Sequence, residues 1–481
     1  MSTYHPKILA LDLDGTLLGT DSLWELFFKG LSLGRISPLL WLLTGRLSFK
    51  RRLAETVDLD LALLPWNPKV IELALAHKAK GGEVWLATAA NEAMAKKVVA
   101  HFDFFSGYMG SDRQVNLKSA AKALELSRRF GPGKFIYAGD SGADVAVWRE
   151  AGGAVVVGSE KLAGRAEPRQ GRVETVPPVG TKSPSPALVL KTARAGQWVN
   201  NLWLLVPLLA AGLSASSNLA QAALALVVFC LYSSAASVAG DLLSVESDRR
   251  SPKTRQSPFA SGALDLSRGG FIFLGSLLVG LSASLFLGWA FFFLALLHLF
   301  FSIIYSLSIK NRFILDAVAF ALLFVVRLLA GSAAMGVRNS LWLILFSFFL
   351  FASLGLVKRL ISIRSRTPAE EASAVAFQPF KIAESALVKF LCVVCICATA
   401  PTLLVFASDE AAWSLYGRQR EIHRLLLLLC AALFYWLVRF LKMADAGRIG
   451  REPLSFLRKD KISWICLGLG AVVLILDILA A

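Results

Sequence analysis

The spacing of apolar and polar positions changes character near Lys191. Before it, short apolar runs alternate with polar stretches of helical period. Residues 8–13, 83–87, 134–137 and 154–157 read as strands, with helical patterns between the first three. Strands alternating with helices predict a doubly wound, Rossmann-like α/β domain. Segment 20–70 reads as helical; its apolar run at 38–43 is too short to span a bilayer and is interrupted by Pro38. The stretch from 151 to about 182, ending in Pro177, Pro178 and Gly180 with Pro184 and Pro186 beyond, reads after its one strand as a linker. Past it, apolar runs recur that can cross a hydrocarbon core of about 30 Å. About nine spans are expected, at roughly 198–214, 219–240, 269–287, 290–308, 314–335, 340–357, 386–407, 424–441 and 463–480.

The pattern therefore predicts a multi-domain chain. A soluble α/β domain occupies 1–180, a linker and membrane approach 181–196, and an all-α integral membrane domain 197–481. Only 18% of the residues are charged, against about 25% in soluble domains, so the residues before Lys191 carry most of the polarity. The net charge of +17 would point to nucleic acid in a soluble protein. Here no basic stripe with interleaved aromatics is visible, and no nucleic-acid partner is expected. The cations gather instead between apolar runs: Arg249, Arg250, Lys253, Arg255 and Arg268 in one segment, Lys358, Arg359, Arg364, Arg366 and Lys381 in another. That positive-inside bias predicts an inner-membrane, multi-pass protein with a cytoplasmic N-terminal domain. All six cysteines lie in apolar runs, and the Cys392, Cys395, Cys397 group has no neighbouring His or acid, so no thiolate metal site is expected. The chain opens on a strand pattern, and no signal peptide is expected.

Chemistry enters with the carboxylates. Asp12 and Asp14 stand two apart at the end of the first strand, where parallel sheets place their ligand crevice. Such a pair suits metal-assisted phosphoryl transfer: one carboxylate attacks, the other moves a proton, and Mg²⁺ shields their charge. Asp140 and Asp144 repeat the pattern after the third strand. Thr88 follows the second strand and offers a hydroxyl to a phosphate, and Lys118 offers a neutralising charge. Taken singly, each could be a helix cap. In this order they resemble the haloacid dehalogenase superfamily of phosphohydrolases, whose DxDGT, strand-terminal Ser or Thr, Lys and GDxxxD motifs all find counterparts within 6–160. The resemblance implies Asp12 as nucleophile, Asp14 as general acid/base, and Thr88 and Lys118 as holders of the phosphoryl group. It implies Mg²⁺ bound by Asp12, Asp14 and Asp140 with Asp144 in support, and a small substrate-selecting cap at 20–75.

The membrane half carries three polar clusters. Arg194, Gln197, Trp198, Asn200 and Asn201 precede or open the first span, where an interfacial anchor is the simpler reading. Asp241, Glu246 and Asp248 are followed by Arg249, Arg250, Lys253 and Arg255; acids beside bases can hold Mg²⁺ and a diphosphate together, or form a solvated loop. Tyr305, Ser306, Lys310, Asn311 and Arg312 lead to Asp316 and Arg327, and Lys358 and Arg359 close the sixth span. Charges within apolar runs mark a functional site or a mutual pair. Apart from Arg327, these residues fall at or near cytoplasmic span ends, where they can share one cavity.

Residues 188–480 are similar to the UbiA superfamily of intramembrane prenyltransferases, most of all to the branch that joins phosphoribosyl diphosphate to a polyprenyl phosphate. Arg194, Gln197, Trp198 and Asn201, the run Pro258 to Gly262, Tyr305 with Lys310, Lys358 with Arg359, and Asp445, Gly447, Glu452 and Pro453 carry the likeness. Gly240 and Ser244 depart from the family's NDxxDxxxD motif, Asn200 stands where a Lys is usual and Ser257 where an Arg is usual. The resemblance implies a Mg²⁺-dependent transferase in the bilayer, acting on a polyprenyl substrate and a diphosphate donor. The fused phosphatase would then act on its product. Two alternatives stay open: transfer of a prenyl diphosphate to an aromatic or other small acceptor, and a non-catalytic lipid-binding scaffold. The sequence does not indicate an oligomeric state.

Overall fold

The computed structural model describes residues 6–112, 116–180, 184–211, 216–309, 313–364, 385–409, 424–449 and 460–479. The chain divides into two compact units, Met1–Val189 with Asp241–Ile272, and Leu190–Gly240 with Phe273–Ala481. Segment 241–272, expected in the membrane domain, thus folds with the N-terminal unit.

The N-terminal unit is built on a six-stranded sheet: β1 Ile8–Leu11, β2 Glu83–Asn91, β3 Phe105–Ser111, β4 Phe135–Gly139, β5 Gly153–Val157 and β6 Arg172–Val176, in the order β3-β2-β1-β4-β5-β6. Every pairing is parallel. Helices cover both faces, which is why β1 and β5 read as near-continuous apolar runs. Leu9, Leu11 and Leu86 pack into one core layer, and Ala10, Tyr137 and Trp148 into the other. Because the strands are parallel, their C-terminal ends share an edge, and Asp12 and Asp140 directly follow β1 and β4 there. Two strands escape the sequence pattern. β3 contains two Gly and two Ser, residues of low strand propensity or packing value. β6 lies in the stretch read as linker; it is an edge strand in which only Val176 is buried. The segment expected to form a cap folds into α1 Ser22–Ser32, α2 Ser37–Trp41 and α3 Arg46–Thr56, and is called the cap segment below. Asp21 starts α1 by accepting the Leu23 N–H at 2.9 Å.

Among the described residues, five helices are long and apolar enough to cross a membrane: Leu219–Leu243, Leu266–Leu285, Ile314–Met335, Leu341–Arg364 and Ser385–Ser408. Shorter apolar helices cover Trp289–Ile304 and Lys461–Val473. One core of the membrane unit is organised around Phe324 stacked on Phe351, with Leu350, Leu356, Ile396 and Leu437 about them. The expected first span at 198–214 is not one α-helix. Ala195–Leu205 is a 3₁₀-helix of 11 residues, followed by the short α-helix Val206–Ala211.

Such a long 3₁₀ run is unusual, and its side chains explain it. With three residues per turn, Trp198, Asn201 and Leu204 line up on one face, and Asn201 and Leu204 are fully buried. The indole of Trp198 donates to Ser234 Oγ at 3.0 Å and that of Trp203 to Ser347 Oγ at 2.9 Å. Asn201 Oδ1 accepts from Ser233 Oγ at 3.2 Å and from the Nε of buried Arg327 at 3.1 Å. Asn201→Ala is therefore expected to strand the Arg327 donor, at a cost of about 1–3 kcal/mol. A lowered unfolding temperature of the purified protein in detergent checks this, with Asn200→Ala, an exposed neighbour, as the unaffected control.

Candidate functional site

At the sheet edge a cavity of about 220 Å³ gathers Asp12, Asp14, Asp140 and Asp144 with Lys118 and Lys122. The cap adds Asp21, Ser22, Leu23 and Leu26 from its first helix and Lys50 and Ala54 from α3. Oxygen atoms of Asp12, Asp140 and Asp144 lie within 4.8 Å of one another. Gly15 makes this approach possible. Its φ of +76° suits glycine, and a Cβ there would fall 2.2 Å from Asp140 Oδ2.

The lysine among these carboxylates is Lys122, not the expected Lys118. Lys122 is 2% exposed, and its ammonium lies 3.0 Å from Asp12 Oδ2 and 3.9 Å from Asp144 Oδ1. It also donates to Tyr137 Oη at 2.7 Å, and Tyr137 donates onward to Asp144 Oδ1 at 2.9 Å. Lys118 lines the same cavity but forms no ion pair among the described residues. The sequence signal for Lys122 was available: it sits on the inward stripe of helix Ala120–Phe130 with Ala123 and Leu126. Asp144 supports from behind, taking the Asp140 N–H, the Ser141 N–H and the Ser141 hydroxyl on Oδ2.

Asp14 differs from the expectation of a third metal ligand. It lines the cavity but stands outside the three-carboxylate group, and its Oδ1 accepts the Ser22 N–H at 2.7 Å. Thr88 is fully buried with its hydroxyl taken by the Ala90 N–H at 3.0 Å; Ala89, Ala90 and Asn91 line the cavity in its place. Burial drives the electrostatics. It pushes Asp12 up to about 6, against the pull of Lys122 and with a further push from Asp144 and Asp140. Burial and then the Asp21 carboxylate push Asp14 well above the ordinary range. An all-oxygen set of crowded, buried carboxylates fits a hard divalent cation such as Mg²⁺.

The acidic segment takes an unexpected place. Arg249, expected to bind a diphosphate, forms a buried two-pronged pair with Glu25 of α1, Nη2 to Oε1 at 2.6 Å and Nη1 to Oε2 at 3.0 Å. Their side chains are only 5% and 4% exposed. Arg249 Nε donates to the Ala260 carbonyl at 3.1 Å, and Thr20 Oγ1 donates to Glu25 Oε1 at 2.7 Å. Glu246, expected to bind metal, pairs with Lys29 and with Arg250. Arg250 also reaches Asp60 at 3.3 Å. Asp248 accepts from Ser244 Oγ at 3.0 Å, and Arg255 is exposed. Asp241 lies in the last turn of helix Ser216–Leu243. Among the described residues, Asp241, Glu246 and Asp248 do not bring three ligand atoms together as Asp12, Asp140 and Asp144 do. Close backbone packing completes the seam: a Cβ on Gly180 would lie 2.1 Å from the Gly262 carbonyl oxygen.

In the membrane unit, Asp316 pairs with Arg359 rather than with Arg327. On one helix, positions 316 and 327 are separated by roughly 16 Å. Asp316 Oδ1 is buried without a hydrogen-bond partner. The Lys358 ammonium stands 5.8 Å from the centre of the Phe320 ring, and Tyr305 opens a π-helical turn, Tyr305–Ile309, a feature frequent at functional sites. Arg194 and Gln197 are exposed, whereas Asn201 and Trp198 are committed to the helix contacts described above. Lys310, Glu452 and Pro453 lie outside the described residues.

Comparison with known proteins places this architecture. The profile of the UbiA prenyltransferase family matches residues 201–458, a little over half of the chain. A Sinorhizobium fredii protein, y4nM, is 29% identical over 467 residues, covering 95% of this chain and 88% of that protein. The decaprenyl-phosphate phosphoribosyltransferase of Corynebacterium glutamicum is 32% identical over 189 residues, 38% of this chain and 57% of that enzyme. A UbiA homolog from Archaeoglobus fulgidus, solved bound to GPP and Mg²⁺, aligns over 60% of this chain and 99% of its own at 15% identity, with a TM-score of 0.44.

Two outcomes are expected. Glu25→Ala leaves the Arg249 guanidinium buried and unpaired, which costs about 3–5 kcal/mol, whereas replacing both partners by apolar residues, as in Glu25→Leu with Arg249→Met, restores most of the loss. Denaturant unfolding of the full chain measures both. Mg²⁺ at about 100 times its dissociation constant stabilises the N-terminal unit by about 2.7 kcal/mol. A thermal scan detects this in the wild type and shows it abolished in Asp140→Asn.

Proposed function

The chain belongs to the UbiA prenyltransferase family, and on that premise we propose a two-step enzyme at the inner face of the cell membrane. The membrane unit joins a diphosphate donor to a polyprenyl substrate, and the cytoplasmic N-terminal unit is a phosphohydrolase of haloacid dehalogenase type acting on the product. The observation that carries the second half is the Asp12, Asp140 and Asp144 group with Lys122 among it and Asp14 beside it. The likeness to a decaprenyl-phosphate phosphoribosyltransferase supports phosphoribosyl diphosphate as donor and a polyprenyl phosphate as acceptor. A product made from that donor keeps a 5-phosphate monoester, a bond of the kind this cavity cleaves.

The chain's own residues divide the hydrolytic work. An Asp12 oxygen attacks phosphorus, the ester P–O bond breaks, and Asp14 gives its proton to the departing alkoxide. Water then attacks the aspartyl phosphate, loses a proton to Asp14 and releases Asp12. The upward push on Asp14 is the direction a proton donor at neutral pH requires. Lys122 balances the Asp12 charge between turnovers, Lys118 and the backbone around Ala89 and Ala90 face the phosphoryl oxygens, and Thr88 orders that turn from behind through its bond from the Ala90 N–H. Asp12, Asp140 and Asp144 would hold Mg²⁺, which when bound offsets charge on the transferred phosphoryl group. On the transferase side Arg249 and Glu246 are committed to ion pairs. The remaining polar set is Asp241, Asp248, Arg255, Arg194, Gln197, Tyr305, Lys310 and Lys358.

The test is a single incubation of the purified protein with Mg²⁺, polyprenyl phosphate and labelled phosphoribosyl diphosphate. Wild type is expected to yield a labelled lipid without the 5-phosphate, and Asp12→Asn one that keeps it. No labelled lipid from wild type would remove the donor assignment. A lipid that keeps its phosphate in both would remove the hydrolytic step.

A further inference from the structure

One stretch of the cap has a chemistry that the hydrolytic site does not use. Between α1 and α3, the side chains of Leu33, Ile36, Leu39, Leu40, Leu42 and Leu43 are 52%, 70%, 47%, 62%, 49% and 86% exposed. Pro38 alone in this stretch is buried, and it lies against Gly30. One exposed leucine needs no explanation, but a contiguous group of this kind marks an interaction site. Trp41 sits within it. The flanks are basic: from Leu26 to Ala54 the chain carries six cations and no acidic residue; Lys29 is paired with Glu246 and Lys50 lines the cavity, while Arg35 and Arg52 stand exposed beside the tip. An apolar tip with a tryptophan and a cationic collar matches the two layers of a membrane surface, acyl chains below and anionic headgroups above. The same chain carries membrane-length helices, so a bilayer is always at hand.

The tip is also placed to matter. Both helices that flank it line the carboxylate cavity, α1 through Leu23 and Leu26 and α3 through Lys50 and Ala54. We propose that residues 33–44 form an interfacial anchor that seats the cap in the bilayer surface, so that the cavity takes phosphate monoesters carried on membrane lipids. The cavity, lined by Asp12, Asp14, Asp140 and Lys122, takes the phosphorylated headgroup, and the polyprenyl tail stays in the bilayer. The substrate half of this inference rests on the hydrolytic reading above; the anchor half does not.

The experiment uses the full chain in vesicles containing anionic lipid, with the native cysteines replaced by alanine. A polarity-sensitive fluorophore is placed at Leu43→Cys, at Leu40→Cys or, as reference, at Leu124→Cys, an exposed position on the helix Ala120–Phe130. Nitroxide on the lipid acyl chains is expected to quench positions 40 and 43 on the order of tenfold more than 124, as burial below the headgroups requires. Equal quenching at all three overturns the anchor. Quenching that disappears when protein is diluted to one copy per vesicle also overturns it, because the tip then meets a second chain. For the substrate half, Leu40→Asp with Leu43→Asp is expected to lower hydrolysis of a phosphorylated polyprenyl lipid on the order of tenfold while p-nitrophenyl phosphate is cleaved as before. Parallel loss on both substrates, or on neither, overturns it. Wild type that cleaves neither compound removes the hydrolytic reading and with it the substrate half, and the quenching still decides the anchor.

Discussion

A guanidinium and a carboxylate, both withdrawn from water, hold the acidic segment of the transferase family to the N-terminal unit. Two charges cannot rest in that environment unless every hydrogen-bonding direction is answered. Here the fork of Arg249 meets both oxygens of Glu25, its Nε meets the Ala260 carbonyl, and the Thr20 hydroxyl takes a further lone pair of Glu25. Glu25 lies one helical turn beyond Ser22, whose N–H holds Asp14. The first turn of α1 thus touches the cavity carboxylates at one end and the segment 241–272 at the other. The covalent order of the chain, one domain and then the next, conceals a unit assembled from both.

Several residues of the motifs are held in ion pairs. A side chain committed to a buried partner is not available to a substrate without a cost of several kcal/mol. Arg249 and Glu246 are spent on the seam with the cap, and Asp316 is spent on Arg359. The absence of acids at Gly240 and Ser244 is consistent with a segment whose first duty is attachment. By contrast, the carboxylates after β1 and β4 are crowded together with Lys122 among them, an all-oxygen set that suits a hard divalent cation.

Much of this was legible in the sequence, and the exceptions have physical causes. The buried strands β1, β2, β4 and β5 announce themselves because both faces are covered and their residues are largely apolar. The edge strand β6 and the Gly- and Ser-bearing β3 carry no such mark. Asp12, Asp140 and Asp144 could be read from strand-end position alone, since a parallel sheet brings successive strand ends to one edge. Lys122 could have been read from the inward stripe it shares with Ala123 and Leu126 on helix Ala120–Phe130. The partnership of Glu25 with Arg249 was beyond reach, because nothing local in either segment names a partner 224 positions away. The apolar run at 38–43 was visible as too short to span a bilayer, but its exposure was not.

The 3₁₀ stretch Ala195–Leu205 has a geometric consequence of its own. A 3₁₀-helix rises about 2.0 Å per residue, where an α-helix rises 1.5 Å. Its 11 residues therefore advance roughly 22 Å instead of the roughly 16 Å an α-helix would give. The polypeptide gains about a third in reach from the same number of residues, at the expense of weaker internal hydrogen bonds. Trp198, Asn201 and Trp203 supply bonds to neighbouring helices instead, so the extension is maintained from outside the segment. Loosening those neighbours would let the stretch contract toward α geometry, which makes this segment a length-setting spacer.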